Sequence, residues 1–156
     1  GIFRIGTFAV PQNVTFGDLS VFDTVMTGRI SHFGLKAGQE DYDAVKQTLE
    51  EMELSDLSQR YANRLAGGEK QKVAIARAIV GNPQLIIFDE PTGNLDVETA
   101  DGIMQLLRDI NRGRGTAILM VTHNTGLISQ YPGRVLVCAD GRCSEIPQTE
   151  DEKKIF

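Results

Sequence analysis

Two adjacent carboxylates, Asp89 and Glu90, are the side chains of this 156-residue chain whose position best suits them to chemistry. They directly follow the apolar run of residues 85–88, which is typical of a parallel strand buried on both faces. Ligands collect at the carboxyl ends of such strands. One carboxylate there can hold Mg²⁺, which prefers oxygen ligands, and its neighbour can deprotonate an attacking water. We therefore predict that Asp89 binds metal and that Glu90 activates water.

A glycine pair, Gly67 and Gly68, opens a run of good helix formers that stops at residues 81–83. The free N–H groups and the positive dipole of a helix start attract anions, and the missing Cβ atoms let a phosphate approach closely. Taken alone, two glycines are an ordinary turn, and an acidic pair before Pro91 is a solvated turn. The two features gain meaning because one segment, residues 65–96, carries both.

Five segments together resemble the ATP-binding subunit of ABC transporters. Residues 65–69 resemble the family signature, which usually reads LSGGQ, and residues 85–90 resemble its Walker B strand. Residues 8–12 resemble the Q-loop, residues 91–96 the D-loop and residues 121–123 the H-loop. All five occur in the order that the family shows, which makes the resemblance highly specific.

The resemblance implies a role for each matching residue. In this family, the phosphate loop of one subunit holds ATP, and the signature of another closes over it in a head-to-tail dimer. Gly67 and Gly68 would then contact the γ-phosphate across the dimer, and Asp96 would communicate between the two sites. Gln12 would touch Mg²⁺ or the attacking water, and His123 would polarise the transition state. The implied site residues are Glu90 and His123 for catalysis, Asp89 and Gln12 for Mg²⁺, and Gln12, Leu65, Ala66, Gly67, Gly68, Glu69 and Asp96 for ATP.

Two residues depart from the usual signature. Ala66 replaces its serine, which removes a hydroxyl hydrogen bond to a charged phosphate, worth about 1.5–3 kcal/mol. Glu69 replaces its glutamine and adds negative charge near that phosphate. We expect closure of the dimer to be weaker than is usual in the family.

The phosphate loop G-x-x-x-x-G-K-[ST] of the family is not found in these residues. Residues 1–7 have similar glycine spacing but place Thr7 where a lysine must reach the phosphates. The family comparison therefore predicts that roughly the first third of a subunit, with its Walker A loop, is missing here. We expect the isolated chain to bind Mg-ATP poorly and to hydrolyse none.

The elements that position these residues alternate between strand and helix after residue 81, which predicts an α/β fold. The resemblance implies that this fold is the C-terminal part of a P-loop NTPase-like (RecA-like) parallel sheet with the ABC helical subdomain. Helices are predicted over residues 21–30, 40–52, 70–80, 97–111 and 124–130, with Asp96 as an N-cap. Strands are predicted over residues 85–88, 116–121 and 134–138, with a hairpin into residues 143–146. The predicted regions are a Q-loop lead-in (1–15), a helical subdomain (16–80), a RecA-like core (81–147) and a charged tail (148–156).

Composition limits the partners. The net charge of -5 and a pI near 5.0 argue against nucleic acid, because binding phosphates requires a basic face. No apolar run in the sequence is long enough to span a bilayer, so we expect membrane contact through a partner. Cys138 and Cys143 form neither a C-x-x-C pair nor a zinc ligand set, and we expect them to be reduced. That expectation agrees with the cytoplasmic location, on the inner face of the cell membrane, that the resemblance implies.

Three classes of function fit the resemblance. The first is a transporter ATPase that pairs head-to-tail with a second copy or a related subunit and drives separate transmembrane permease subunits. The second is an ABC-type ATPase of chromosome maintenance or the ribosome. The chromosome type inserts a long coiled coil between Q-loop and signature, but residues 13–64 show no sustained heptad. The ribosome type carries two such domains, whereas one set of motifs occurs here. The third is a signature-bearing fragment that does not hydrolyse ATP. The first is favoured.

Two segments give different indications of the transported substrate. Residues 21–29 resemble the corresponding segment of importers for metal ions, iron chelates and cobalamin. Residues 90–96 are more usual in lipoprotein-release and cell-division members of the family. Import of a metal ion or metal chelate is the prediction, with the lipoprotein-release or cell-division type as the alternative.

Overall fold

The structure, a computed structural model, describes residues 6–32 and 36–146, and its contacts separate two units, Gly1–Val121 and Thr122–Phe156. The predicted tail, residues 148–156, lies outside the described residues. The elements of the first unit are β1 (Thr7–Val10), α1 (Val21–Met26), α2 (Gln39–Glu51), α3 (Gly67–Ile79), β2 (Leu85–Asp89), α4 (Val97–Arg114) and β3 (Ala117–Val121). Those of the second unit are α5 (Thr125–Gln130), β4 (Val135–Ala139) and β5 (Arg142–Ile146). The predicted regional boundaries remain predictions.

The three strands of the first unit form a parallel sheet in the order β1-β2-β3, which confirms the predicted parallel α/β architecture. Ile86 and Phe88 of the central strand are completely buried. Val10 pairs with Phe88, so β1 and β2 end at the same edge of the sheet. The segments that carry Gln12 and Glu90 therefore leave the sheet side by side.

The helical part of the first unit packs around α3, of which seven residues are buried. The predicted helix over residues 21–30 is α-helical as far as Met26 and continues as a 3₁₀ helix over Thr27–Arg29. This segment packs closely on α3, since a Cβ atom on Gly28 would lie 2.0 Å from the backbone oxygen of Arg77.

A nearly buried ion pair holds the start of α2 in this part of the unit. Arg29 Nη2 lies 2.8 Å from Asp41 Oδ1, and the same carboxylate accepts a hydrogen bond from the Gly38 N–H. These contacts lower the pKa of Asp41, with the Gly38 hydrogen bond as the largest cause. Val45, Leu49 and Met52 of the predicted helix are buried, whereas Tyr42 is exposed and stacks on Phe22.

The helix predicted over residues 97–111 is confirmed and runs further, to Arg114. Asp96 is its N-cap as predicted, since its carboxylate accepts a hydrogen bond from the Thr99 N–H at 3.0 Å. Gly115 ends the helix in the left-handed conformation, with φ of 67°, which glycine adopts without strain. Ile103, Leu107 and Ile110 of this helix are buried.

The second unit contains the predicted hairpin, in which β4 and β5 pair antiparallel. The expectation of reduced cysteines is wrong: Cys138 and Cys143 stand directly opposite each other in this hairpin and form a disulfide. The spacing of the two cysteines in sequence does not predict this disulfide, because the register of the hairpin is what places them opposite each other. None of the helices in the described residues is long and apolar enough to cross a membrane.

Candidate functional site

The predicted Q-loop and D-loop touch each other in the structure. Asn94 Nδ2 donates a hydrogen bond of 3.0 Å to Asn13 Oδ1, across 81 residues of sequence. A Cβ atom built on Gly93 would lie only 3.0 Å from Gln12 Nε2, so the Gln12 side chain lies against the backbone of the D-loop. The two loops are therefore one structural unit.

Glu90 lies in a strained turn next to these loops. Its φ of 46° is in the left-handed region, which a residue with a side chain adopts at a cost of about 1–3 kcal/mol. Two backbone hydrogen bonds hold the turn: the Glu90 N–H donates to the Val121 oxygen of β3 at 2.9 Å, and the Gly93 N–H donates to the Glu90 oxygen at 3.1 Å. Such strain is frequent where a side chain must be aimed for function.

A cavity of about 370 Å³ brings several predicted site residues together. Gln12 and Glu90 line it from the ends of β1 and β2, and Gly67 lines it from the start of α3. The amide and the carboxylate expected to orient and deprotonate water thus face the same space. The structure brings together Gln12, Glu90 and the first signature glycine.

Asp89 is the last residue of β2 and is exposed. Within residues 6–32 and 36–146, no group of three or more His, Cys, Asp and Glu side chains could hold a metal ion. Mg²⁺ usually binds through only one or two carboxylates together with waters and substrate phosphates, so a sparse set of donors suits it. The oxygens of Asp89 and Gln12 fit that chemistry.

The signature glycines open α3 as predicted. Its N-cap, Ala66, has no side-chain acceptor, while Glu69 Oε2 accepts a hydrogen bond of 3.1 Å from the Ala66 N–H. This is half of a capping box: the carboxylate points back at the backbone, and no side chain caps the first amides of the helix. Leu65, just before it, is buried. The turn therefore presents backbone N–H groups that can bind an anion.

A second cavity, of about 510 Å³, separates this helix start from Asp96. The Asp96 carboxylate accepts hydrogen bonds from the Thr99 N–H at 3.0 Å and from its hydroxyl at 2.6 Å. Both bonds favour the ionised form and lower the pKa of Asp96. A Cβ atom on Gly68 would lie 2.5 Å from Thr99 Cγ2, so only glycine lets α3 approach this turn.

His123 belongs to the second unit, between β3 and α5, and is exposed. The N-cap of α5 is its neighbour Asn124, whose side chain accepts hydrogen bonds from the Gly126 and Leu127 N–H groups. His123 is therefore not needed to cap this helix. Its catalytic role remains a prediction.

Several residues at this site escaped sequence reasoning. Gln71 of α3 lines the cavity that contains Gln12, is buried, and its Nε2 has no hydrogen-bond partner. Arg77, on the same helix, lies over the rings of Phe8 and Phe16. Asn94 lies in the predicted D-loop, but nothing in the sequence indicates that it contacts Asn13.

Comparison with known proteins shows which family the sequence resembles. Residues 3–93 match the family described as ABC transporter. An uncharacterized ABC transporter ATP-binding protein of Methanocaldococcus jannaschii is 36% identical over 132 residues, which cover 85% of this chain and 52% of that protein. The lipoprotein-releasing system ATP-binding protein LolD 1 of Caulobacter vibrioides is 53% identical over 81 residues, covering 52% of this chain and 34% of that protein.

A solved structure shows the same similarity in three dimensions. An inward-facing structure described as a metal-chelate type ABC transporter superposes with a TM-score of 0.85 and 28% identity, over 97% of this chain and 60% of that one. The chain thus spans about half the length of the Methanocaldococcus relative and a third of LolD 1. The predicted P-loop NTPase-like fold class is confirmed.

Proposed function

The chain belongs to the ABC transporter family, and on that premise we propose that it contributes to binding and hydrolysis of Mg-ATP within a transporter. The observation that carries the proposal is the cavity shared by Gln12, Glu90 and the start of α3. It places a candidate base, a polar amide and an anion-binding helix terminus around one space.

The proposed chemistry is hydrolysis of the bond between the β- and γ-phosphates of ATP. Glu90 takes a proton from water, the water oxygen bonds to the γ-phosphorus, and the bond from that phosphorus to the bridging oxygen breaks. The products are ADP and inorganic phosphate. Gln12 orients the water, and Asp89 and Gln12 would hold Mg²⁺, which neutralises charge on the phosphates when bound.

The signature is proposed to act on a second ATP-binding domain. The open amides at Gly67 and Gly68 would receive the γ-phosphate of ATP held by the partner in a head-to-tail dimer. Ala66 offers no hydroxyl to that phosphate, and Glu69 is already engaged with the Ala66 N–H. We therefore expect weak closure of the dimer.

The proposed partners are transmembrane permease subunits, with the chain bound at the cytoplasmic face of the membrane. Import of a metal ion or metal chelate is the proposed transport, and similarity to the structure described as a metal-chelate type transporter supports it. The alternative is a lipoprotein-release or cell-division type, supported by the 53% identity to LolD 1. A third candidate is a signature-bearing fragment that does not hydrolyse ATP.

Calorimetry and phosphate release test the proposal. The 156-residue chain is expected to bind Mg-ATP weakly and to release no phosphate, whereas the same chain extended upstream by a phosphate-loop segment should bind and hydrolyse it. In the extended chain, Glu90→Gln should lower kcat by about 10²–10⁴-fold, because the general base is lost. Its affinity for Mg-ATP should persist.

Glu40→Gln is the matched control, since Glu40 is an exposed carboxylate in the first turn of α2. Its turnover should equal that of the extended chain without the substitution. An extended chain that binds Mg-ATP but releases no phosphate would contradict the proposed hydrolysis. Tight binding by the 156 residues alone would contradict the expected absence of a phosphate loop.

A further inference from the structure

The signature helix contacts the Q-loop through a cation that the proposed mechanism does not use. The guanidinium carbon of Arg77 on α3 lies 5.8 Å from the ring centroid of Phe8 and 5.5 Å from that of Phe16. Phe8 lies four residues before Gln12, and Phe16 lies four residues after it. One side chain thus contacts the loop on both sides of its functional residue.

The environment of Arg77 makes these ring contacts its main stabilisation. Its Nε is buried without a hydrogen-bond partner, and within the described residues Arg77 forms no ion pair. Burial lowers the pKa of the guanidinium. A planar, weakly hydrated guanidinium stacks well on aromatic faces, and such contacts strengthen when water is excluded.

The loop of residues 12–17, which carries Gln12, has few other contacts. None of the backbone N–H groups of residues 12–17 donates to another backbone group in the described part of the chain. Its side-chain contacts include the Asn13 to Asn94 hydrogen bond, the packing of Gln12 against Gly93 and the contact of Phe16 with Arg77. A loop without backbone hydrogen bonds depends on such contacts for its position.

We propose that Arg77 is a positioning residue, which fixes the loop of residues 12–16 on α3 and thereby sets where Gln12 lies relative to Glu90. The catalytic meaning of that position rests on the proposed function. The positioning itself is a property of the chain without nucleotide. A test on the chain alone can therefore fail independently of the ATPase proposal.

Backbone order parameters from ¹⁵N relaxation of the 156-residue chain measure the positioning directly. In the unsubstituted chain, residues 12–16 should have order parameters near those of rigid backbone, about 0.85. Arg77→Gln removes the cation and should lower them below about 0.6 in these residues alone. Arg77→Lys keeps the charge but loses the planar stacking, and it should give intermediate values.

Two further variants separate positioning from folding. Phe16→Leu removes one ring and leaves α3 unchanged, so it should loosen the same residues even if Arg77→Gln fails to fold. Arg64→Gln is the matched control, because Arg64 also lies over a ring, that of Tyr61 at 5.0 Å, but at an exposed site. It should leave the order parameters of residues 12–16 unchanged.

The Asn94 side-chain amide signal gives a second measurement. It should shift in Arg77→Gln and in Phe16→Leu, since its acceptor Asn13 moves with the loop. The proposal is overturned if residues 12–16 are already mobile in the unsubstituted chain or stay rigid in both variants. It is also overturned if every folded variant loosens α2 and α4 as much as the loop, which would indicate a general role in stability.

Discussion

Helices α3 and α4 begin next to each other, yet their first turns are built in opposite ways. Asp96 caps α4 with its carboxylate, whereas Ala66 leaves α3 without a side-chain cap. The two turns touch where Gly68 faces Thr99, and a cavity of about 510 Å³ opens between them. Beyond the first turn the two helices are alike, because buried apolar residues anchor both of them.

The difference shows which helix start can serve a ligand. The Asp96 carboxylate satisfies the Thr99 amide in the first turn of α4 from within the chain, so that end is stabilised by its own side chain. The first amides of α3 lack such a side chain and can donate hydrogen bonds to an external anion. An uncapped helix start beside a capped one is consistent with a binding role for the signature, and the following substitutions test that comparison.

The largest effect is expected where the two turns touch. Gly68→Ala places a Cβ atom 2.5 Å from Thr99 Cγ2, so the free energy of unfolding should fall by about 1–3 kcal/mol through overpacking. Thr99→Ser removes that methyl group and keeps the hydroxyl that binds Asp96. The double variant should therefore recover most of the loss in urea denaturation.

Gly102→Ala is the control for this pair, since a Cβ there meets nothing within 4 Å in α4. It should stabilise the chain by about 0.5–1 kcal/mol, because alanine suits a helix interior better than glycine. Equal stability of Gly68→Ala and the double variant would show that the methyl contact does not limit the approach of the helices.

A smaller effect is expected from a substitution that gives α3 a side-chain N-cap, as α4 already has. Ala66→Ser supplies an acceptor for the Glu69 N–H and completes the capping box, so the free energy of unfolding should rise by about 1 kcal/mol. Thermal or urea denaturation measures the gain. Ala37→Ser, outside any helix, should change it by less than about 0.5 kcal/mol. No gain at position 66 would mean that the start of α3 is already satisfied.

The smallest effect is expected from titration of the α4 cap. Hydrogen bonds from Thr99 lower the pKa of Asp96 in the folded chain, so ionised Asp96 adds stability above its ordinary pKa of 3.8. That contribution is lost as the pH falls below this value and through the folded-state pKa. Asp96→Asn also caps a helix but does not titrate.

The measurement is the difference in Tm between the unsubstituted chain and Asp96→Asn as a function of pH. The difference should be constant near neutral pH and should move in favour of the asparagine variant as the pH drops below about 4. A difference that stays constant down to pH 2 would show that the Thr99 contacts do not favour the ionised cap.

Much of the site was predictable because its signals are local. The apolar run before Asp89 marks a strand end, and the glycines before residue 69 mark a helix start, whatever surrounds them. Asp96 was likewise recognisable as an N-cap from its own neighbours. Prediction was wrong where strand register intervened, because the hairpin places Cys138 opposite Cys143 and the two form a disulfide.

The sequence by itself determined the parallel α/β architecture, the order of the motifs and the residue types available for chemistry, since these follow from periodicity and spacing along the chain. Only the tertiary structure decided which distant residues meet. The contact of Asn13 with Asn94, the rings around Arg77 and the pairing of Cys138 with Cys143 depend on helix packing and strand register. In each of these contacts, the sequence around one residue does not indicate which distant residue it meets.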